Sequence, residues 1–259
     1  MAKQIQVERD GAVATVVLNR PRKLNALTRS MWHKLGEAIV TLSADNDVHC
    51  VVLRGAGDKA FSSGNDIGEF EKERSSIPLG RRYGAGMKRT IDALQSCRHP
   101  IVALINGVCV GGGLELAANC DIRICGESSR FGAPINKLGL VMSYAELESL
   151  LSLVGRAVTL EILLEGRIFG AQAAQAKGLV QRVVADDKVE EEAYATAQRI
   201  VAGAPLVARW HKKFIDRLSD PAPLTRDELD EGFLCFGTRD FEIGMKAFLE
   251  KKKPKFTGR

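Results

Sequence analysis

Two glycine-containing turns and one glutamate are the parts of this sequence best suited to chemistry. Residues 106–115 read N-G-V-C-V-G-G-G-L-E and follow the apolar run 101–105. Glycines at the start of a helix leave backbone N–H groups unshielded by any Cβ, and such groups can hold a developing oxyanion. Glu115 falls in the first turn of the predicted helix, so a general acid or base would lie beside that cradle.

A second turn of the same kind precedes the first one. Residues 62–67 read S-S-G-N-D-I, follow a predicted strand and lead into a polar, helix-compatible segment. Two turns that each present an N–H group could hold one carbonyl oxygen from two directions. The alternative interpretation is two plain strand-to-helix connections, because the spacing does not show that the turns meet.

Several other kinds of site are not predicted. The glycine cluster is not G-x-G-x-x-G, and neither a Walker Gly-Lys-Ser/Thr segment nor a G-x-S-x-G segment occurs. The four histidines lie far apart and predict no metal site. Net charge is +5, and no aromatic-interleaved basic platform accompanies the lysines at 251–253, so we expect no nucleic-acid partner.

Composition is typical of a globular protein. The 259 residues are 45% hydrophobic and 27% charged, and the six cysteines show no close C-x-x-C pair, which predicts reduced core cysteines. No apolar run reaches the ~18 residues that cross a bilayer, and the first residues lead directly into a strand pattern. These features predict a cytoplasmic protein without a membrane partner.

Strands alternate with helices through the first half of the chain. The pattern predicts a hairpin over 5–18, a helix from Thr28 to Asp45, and strands near 51–53, 101–105 and 121–125, with helices at 81–97 and around 114–119. This order is typical of an α/β fold with parallel strand pairing. Amphipathic helices are predicted in the later part, at 189–202, 205–218, 225–236 and 241–251. This change predicts a core over 1–202 and a helical region over 203–259 that packs on a partner subunit.

Four segments together resemble one known family, namely residues 20–27 (R-P-R-K-L-N-A-L), 60–67 (A-F-S-S-G-N-D-I), 100–107 (P-I-V-A-L-I-N-G) and 111–116 (G-G-G-L-E-L). They closely resemble the crotonase family, the enoyl-CoA hydratase/isomerase group. Residues 131–134, 177–180 and 247–251 extend the resemblance over nearly the whole chain. The resemblance implies a crotonase-like spiral of ββα units with a C-terminal helical trimerisation region, assembled as a trimer or a dimer of trimers.

The resemblance also implies how a substrate binds. Acyl-CoA thioesters would bind with the carbonyl oxygen held by the backbone N–H groups of Asn65 and Gly112. No separate cofactor is expected, because coenzyme A is part of the substrate. The residues implied to line the coenzyme A and thioester path, or to reach a coenzyme A phosphate of a neighbouring subunit, are Lys23, Leu24, Asn65, Asp66, Ile67, Gly68, Gly112, Phe248 and Lys251.

One position departs from the family pattern. Hydratases of this family use two glutamates, of which one matches Glu115 and the other matches Ile135, a residue that cannot transfer a proton. Glu146 and Tyr144 lie close to a position where other members place an acid, and either is a candidate for the missing group. The alternative interpretations are that Glu146 complements the start of its helix and that Tyr144 packs.

The sequence therefore predicts an enoyl-CoA hydratase-like enzyme that works through an oxyanion-stabilised enolate. Glu115 is the principal acid or base, and Glu146 is the second candidate catalytic residue. The alternatives are an enoyl-CoA isomerase, another thioester reaction that uses Glu146 or Tyr144, and an acyl-CoA-binding trimer that has lost catalysis with the second glutamate.

Overall fold

The computed structural model describes residues 3–259. The strands of this part of the chain are β1 (Ile5–Asp10), β2 (Val13–Leu18), β3 (Cys50–Gly55), β4 (Ala60–Ser62), β5 (Ile101–Ile105), β6 (Val108–Val110), β7 (Ile122–Gly126), β8 (Arg130–Gly132), β9 (Phe169–Gly170) and β10 (Arg182–Val184). Its α-helices are α1 (Arg29–Ala44), α2 (Phe70–Glu73), α3 (Ile77–Gln95), α4 (Gly112–Ala118), α5 (Tyr144–Glu165), α6 (Ala171–Ala176), α7 (Val189–Val201), α8 (Pro205–Leu218), α9 (Arg226–Glu231) and α10 (Arg239–Leu249).

The larger sheet has six strands in the order β1-β2-β3-β5-β7-β10. The predicted hairpin is confirmed, because β1 and β2 pair antiparallel from Ile5 opposite Leu18 to Asp10 opposite Val13. The other neighbours pair parallel, which confirms the predicted crossover connections. Strands β2 and β5 are buried along their whole length, as continuous apolar runs in a covered parallel sheet are expected to be.

A smaller sheet, with the order β4-β6-β8-β9, positions the site. Strands β3, β5 and β7 of the larger sheet are each followed by a short strand of the smaller one, β4, β6 and β8, before a helix begins. This repetition gives the ββα units that were expected, and the α/β fold is confirmed. One detail was wrong: the strand 101–105 does not pass directly into the glycine turn, because β6 lies between them in the other sheet.

Helices α1 and α3 cover one face of the larger sheet, and α7 covers the other. Thr28 caps α1 by accepting a hydrogen bond from the Met31 N–H, as its position before an apolar helical repeat predicts. The apolar face of α1 packs on α3, and both contribute to the main core, with Trp32, Leu35, Tyr83 and Met87 almost fully buried. Helix α3 begins at Ile77, four residues before the predicted start.

Three helices follow residue 203, and much of their apolar surface is exposed. Nine large apolar side chains on or between α8, α9 and α10 are more than half exposed in the single chain. They are Ile215, Leu218, Leu229, Phe233, Leu234, Phe236, Met245, Phe248 and Leu249. The predicted helix over 225–236 is instead α9 followed by a short 3-10 helix, Leu234–Gly237. The division at residue 202 stays a prediction. Between residues 3 and 259, no helix is both long and apolar enough to cross a membrane.

Candidate active site

The two glycine-containing turns meet at one end of the smaller sheet. Strands β4 and β6 are parallel neighbours, with Ala60 opposite Val108 and Ser62 opposite Cys109, so the segments that follow them leave the sheet side by side. A cavity of about 110 Å³ lies there, and its lining includes Asn65 from one turn and Gly112 from the other. The hypothesis that the turns come together is confirmed.

Glycine permits the close approach of the turns. Gly64 has φ +89°, and a Cβ at this position would lie 2.9 Å from the carbonyl oxygen of Val110 and 3.1 Å from the backbone nitrogen of Gly112. A Cβ on Gly113 would lie 2.4 Å from the carbonyl oxygen of Ser62. Any larger residue at either position would push the two segments apart.

The backbone N–H groups of Asn65 and Gly112 have no acceptor within residues 3–259. On either side of Asn65, the Leu27 N–H donates to Gly64 O (2.8 Å) and the Asp66 N–H donates to Leu27 O (2.9 Å), which fixes the turn and leaves the amide of Asn65 unused. Gly112 is the first residue of α4, where the helix provides no acceptor for the N–H group. Both residues line the cavity.

The side chain of Asn65 is held by two aromatic residues. The Trp32 Nε1–H donates to Asn65 Oδ1 at 2.7 Å, and the Tyr83 hydroxyl lies 3.4 Å from the same oxygen. Sequence analysis missed both partners, because Trp32 and Tyr83 lie at apolar positions of α1 and α3 and nothing nearby in sequence indicates a polar contact. The indole also fills the space beside Gly112, where a Cβ would lie 3.1 Å from Trp32 Cζ2.

Glu115 lies in the first turn of α4, as predicted, and is 4% exposed. Its Oε2 atom is buried and has no hydrogen-bond partner within the described chain. Burial raises the pKa of Glu115 well above its ordinary value, the negative charge of Glu146 raises it further, and the positive charge of Arg74 lowers it. This arrangement is typical of a carboxyl group that exchanges protons near neutral pH.

Ile135 and Glu146 also line the cavity. Ile135 belongs to the 3-10 helix Pro134–Leu138, and it places an apolar side chain where the family pattern has its second glutamate. Glu146 is 8% exposed, and its Oε2 accepts a hydrogen bond from the Ser143 N–H at 2.7 Å, as part of a capping box. Glu146 therefore caps α5 and also presents a carboxyl group to the cavity that contains Glu115.

Tyr144 does not share that position. Its side chain is 93% exposed and is absent from the cavity lining, although it precedes Glu146 by only two residues. The first turn of α5 turns the two side chains to different sides. The hypothesis that the Tyr144 phenol replaces the missing acid is not supported.

Lys23 and Leu24, which are predicted to line the coenzyme A path, lie next to the turn formed by residues 62–67. The Ser63 N–H donates to Leu24 O at 2.9 Å, and the carbonyl oxygen of Lys23 lies 3.5 Å from Ser63 Oγ. Ile67 lines the cavity itself. Asp66 accepts a hydrogen bond from the Gly68 N–H and forms an ion pair with Arg20 at 2.9 Å, so Asp66 and Gly68 shape the turn.

Phe248 and Lys251 lie apart from the cavity within one chain. The Phe248 side chain is 84% exposed at the end of α10, and Lys251 is exposed just beyond it. Neither residue lines the cavity around Glu115. The implied contact is with coenzyme A of a neighbouring subunit, and it stays a prediction.

Arg74 is a further cavity residue that sequence analysis missed. It follows α2 directly, and a single arginine in a charged segment gives no sequence signal of a site. Among residues 3–259 no group of three or more His, Cys, Asp or Glu side chains is arranged to hold a metal ion.

The comparisons with known proteins agree with one another. A family model described as enoyl-CoA hydratase/isomerase matches residues 8–259. The chain is 35% identical to a Mycobacterium tuberculosis protein named probable enoyl-CoA hydratase, covering 98% of each. It is 34% identical to the short-chain-enoyl-CoA hydratase of Clostridium acetobutylicum, covering 95% of each.

A solved structure shows the same fold over the whole chain. The crystal structure of an enoyl-CoA hydratase/carnithine racemase from Magnetospirillum magneticum superposes with a TM-score of 0.98 at 50% sequence identity, covering 100% of this chain and 97% of that one. The strand order and the ββα units described above are therefore those of known structures.

Proposed function

The chain belongs to the enoyl-CoA hydratase/isomerase family, and from this premise we propose that it hydrates the conjugated double bond of an enoyl-CoA thioester. One observation carries the proposal. A single cavity combines two backbone N–H groups without acceptors, at Asn65 and Gly112, with the buried and unpartnered carboxyl group of Glu115. An acyl thioester offers a carbonyl oxygen to such a pair of donors and an acidic Cα to such a carboxyl group.

The two N–H groups would act on the thioester oxygen. When water attacks Cβ, the electrons of the double bond move to Cα and onto the carbonyl oxygen, which produces an enolate. The amides of Asn65 and Gly112 are fixed by the backbone before the reaction, so they stabilise this charge without reorganisation. Removing one such donor typically costs about 10²- to 10³-fold in rate.

Glu115 would move the proton. Its carboxylate takes a proton from the attacking water and then returns one to Cα, so that water is added overall and the carboxylate is restored. Because its pKa is raised, the Glu115 carboxylate is a stronger base than an ordinary glutamate, which favours proton removal from water. We assign Glu146 to hold the water, because its Oε2 is bound to the Ser143 N–H while the carboxyl group still lines the cavity.

Isomerisation is the second candidate, and Ile135 is the observation that favours it. With an apolar residue at that position, one base could remove the Cα proton of a β,γ-unsaturated acyl-CoA and return it at Cγ. The same oxyanion site would stabilise the dienolate.

Assembly is part of the proposal. The exposed apolar side chains of α8 to α10 support self-association of the region 203–259 as a trimer or a dimer of trimers. In that assembly Phe248 and Lys251 would reach the coenzyme A of a neighbouring subunit. A cytoplasmic location and the lack of a separate cofactor stay predictions.

The test is an assay of conjugated and β,γ-unsaturated enoyl-CoA with the parent, E115Q and I135E. We expect the parent to hydrate the conjugated substrate and E115Q to lose about 10²- to 10⁴-fold of kcat/KM. If only the β,γ-unsaturated substrate reacts, isomerisation is the function. If I135E hydrates the conjugated substrate and the parent does not, hydration is excluded as the reaction of the parent protein. Tight binding of both substrates without turnover would indicate the binding trimer.

A further inference from the structure

Arg74 occupies an unusual place in the cavity. Its guanidinium carbon lies 4.9 Å from the ring centroid of Phe70 and 4.9 Å from that of Tyr83. Its backbone N–H donates to Phe70 O at 2.8 Å, which ties the residue to the end of α2. Both rings therefore hold the guanidinium by cation–π contacts, which provide no oxygen acceptor for its N–H groups.

The guanidinium has no protein acceptor. Within the part of the chain that the structure describes, the Arg74 side chain donates no hydrogen bond, and no carboxylate oxygen lies within 4.0 Å of it. Nearby arginines differ, because Arg29 and Arg82 both pair with Glu73, at 3.6 and 3.1 Å. The Arg74 guanidinium carries five N–H donors, and none of them has an acceptor in the described chain. Two of these donors can bind the two oxygens of one carboxylate in parallel.

Arg74 contacts no oppositely charged side chain of the cavity lining among the described residues. It is the one basic residue among the described residues of the lining, which is otherwise mostly apolar. The two carboxyl groups of the lining are Glu115 and Glu146, and neither has an oxygen within 4.0 Å of the Arg74 guanidinium. A purely hydrocarbon acyl chain would offer the guanidinium no hydrogen-bond acceptor, whereas a carboxylate would offer two oxygens.

We infer that the acyl group of the substrate carries a carboxylate, which pairs with Arg74. The inference rests on the proposed function, because it takes the Glu115 cavity as the acyl site. Arg74 is then the residue that selects acidic acyl groups over neutral ones. Coenzyme A also carries anionic groups, and Asn65 and Ile67 of its implied path line the same cavity, so the binding of free coenzyme A is measured as a separate arm of the test.

Binding of saturated thioesters tests the inference without requiring a reaction. Calorimetry would compare glutaryl-CoA with pentanoyl-CoA and adipoyl-CoA with hexanoyl-CoA, in the parent, R74M and R74K. R81M is the matched control, since Arg81 is an exposed arginine on α3 outside the cavity. We expect the parent to bind the acidic member of at least one pair about 10- to 100-fold more tightly, as charge-assisted bonds imply.

The variants separate selection from other roles. R74M should lose the preference for the acidic thioester and should bind the neutral thioester with an affinity within about 3-fold of the parent's. R74K should keep part of the preference, and R81M should behave as the parent. The inference is overturned if the parent shows no preference in either pair. It is also overturned if R74M still binds the acidic thioester more tightly than the neutral one, or if R74M binds both more weakly by the same factor. A loss of affinity for free coenzyme A as large as the loss for the acidic thioester would overturn it as well.

A turnover assay of the unsaturated counterparts keeps the two proposals distinct. A binding preference lost in R74M, together with no turnover of any enoyl-CoA, would support the role of Arg74 and refute the hydratase. Turnover of neutral and acidic enoyl-CoA with equal kcat/KM, and no binding preference, would refute the role of Arg74 and leave the hydratase standing.

Discussion

Replacing Glu115 with glutamine should make the protein more stable while it strongly reduces activity. Glu115 is 4% exposed, and its Oε2 has no hydrogen-bond partner in the described chain. An unsatisfied buried polar group costs about 1–3 kcal/mol, and a charged one costs more. E115Q removes the charge and keeps the shape, so its free energy of unfolding near pH 8 should exceed that of the parent by about 1–3 kcal/mol. The corresponding rise in Tm is about 2–4 °C for each kcal/mol.

The stability difference should depend on pH. In the folded protein the pKa of Glu115 lies well above its ordinary value of 4.5, so between these two values the folded state binds more protons than the unfolded chain. Parent stability therefore falls as pH rises through this window, and E115Q lacks this loss. The advantage of E115Q should be full above the raised pKa and should disappear as pH falls towards 4.5.

Thermal and urea unfolding at pH 5 and pH 8 measure this effect. E148Q is the control, because Glu148 is an exposed glutamate on α5 whose replacement should change stability by less than about 0.5 kcal/mol. The reasoning is refuted if E115Q is less stable than the parent at pH 8, or if its advantage is the same at both pH values.

Three further variants test the surroundings of Glu115. E146Q keeps an acceptor for the helix cap but removes a negative charge, so the pKa of Glu115 should fall and the acid limb of kcat/KM should move to lower pH, with about a 10-fold loss on the plateau. R74M removes a positive charge, so the acid limb of kcat/KM, measured with a neutral enoyl-CoA, should move to higher pH. If the acid limb does not move in E146Q or in R74M, the electrostatic account of the Glu115 pKa is contradicted. W32F removes the donor to Asn65 Oδ1 and should lower kcat/KM about 10- to 100-fold. Circular dichroism checks that the variant is folded. Full activity of W32F would show that the turn at Asn65 does not need this hydrogen bond.

The parts of the fold that were predictable are those with strong local patterns. The strand Ile101–Ile105 and the helix Pro205–Leu218 have the predicted bounds, because a continuous apolar run and a helical repeat are patterns contained within one segment of the sequence. The short strands of the smaller sheet were missed. Val108–Val110 has only three residues, and its pairing with β4 and β8 depends on residues far away in sequence.

In the candidate site, too, the features with local sequence patterns were predictable and those that depend on distant residues were not. Glycine clusters and the position of Glu115 indicated an oxyanion site, since both are local features of the sequence. The contact of Trp32 with Asn65 and the approach of Arg74 to Glu115 come from the packing of α1 and α2, which no spacing reveals. Glu146 was identified, but only the structure shows that one side chain both caps α5 and lines the cavity.

Exchange of the Cα protons of a saturated acyl-CoA with D₂O is the most direct test of the central claim. The exchange requires only a base at Cα and donors for the enolate oxygen, so it is independent of whether the reaction is hydration or isomerisation. With butyryl-CoA followed by mass spectrometry, the parent should incorporate deuterium, and E115Q should do so about 10²- to 10⁴-fold more slowly. Equal exchange in the parent and E115Q would contradict the assignment of Glu115.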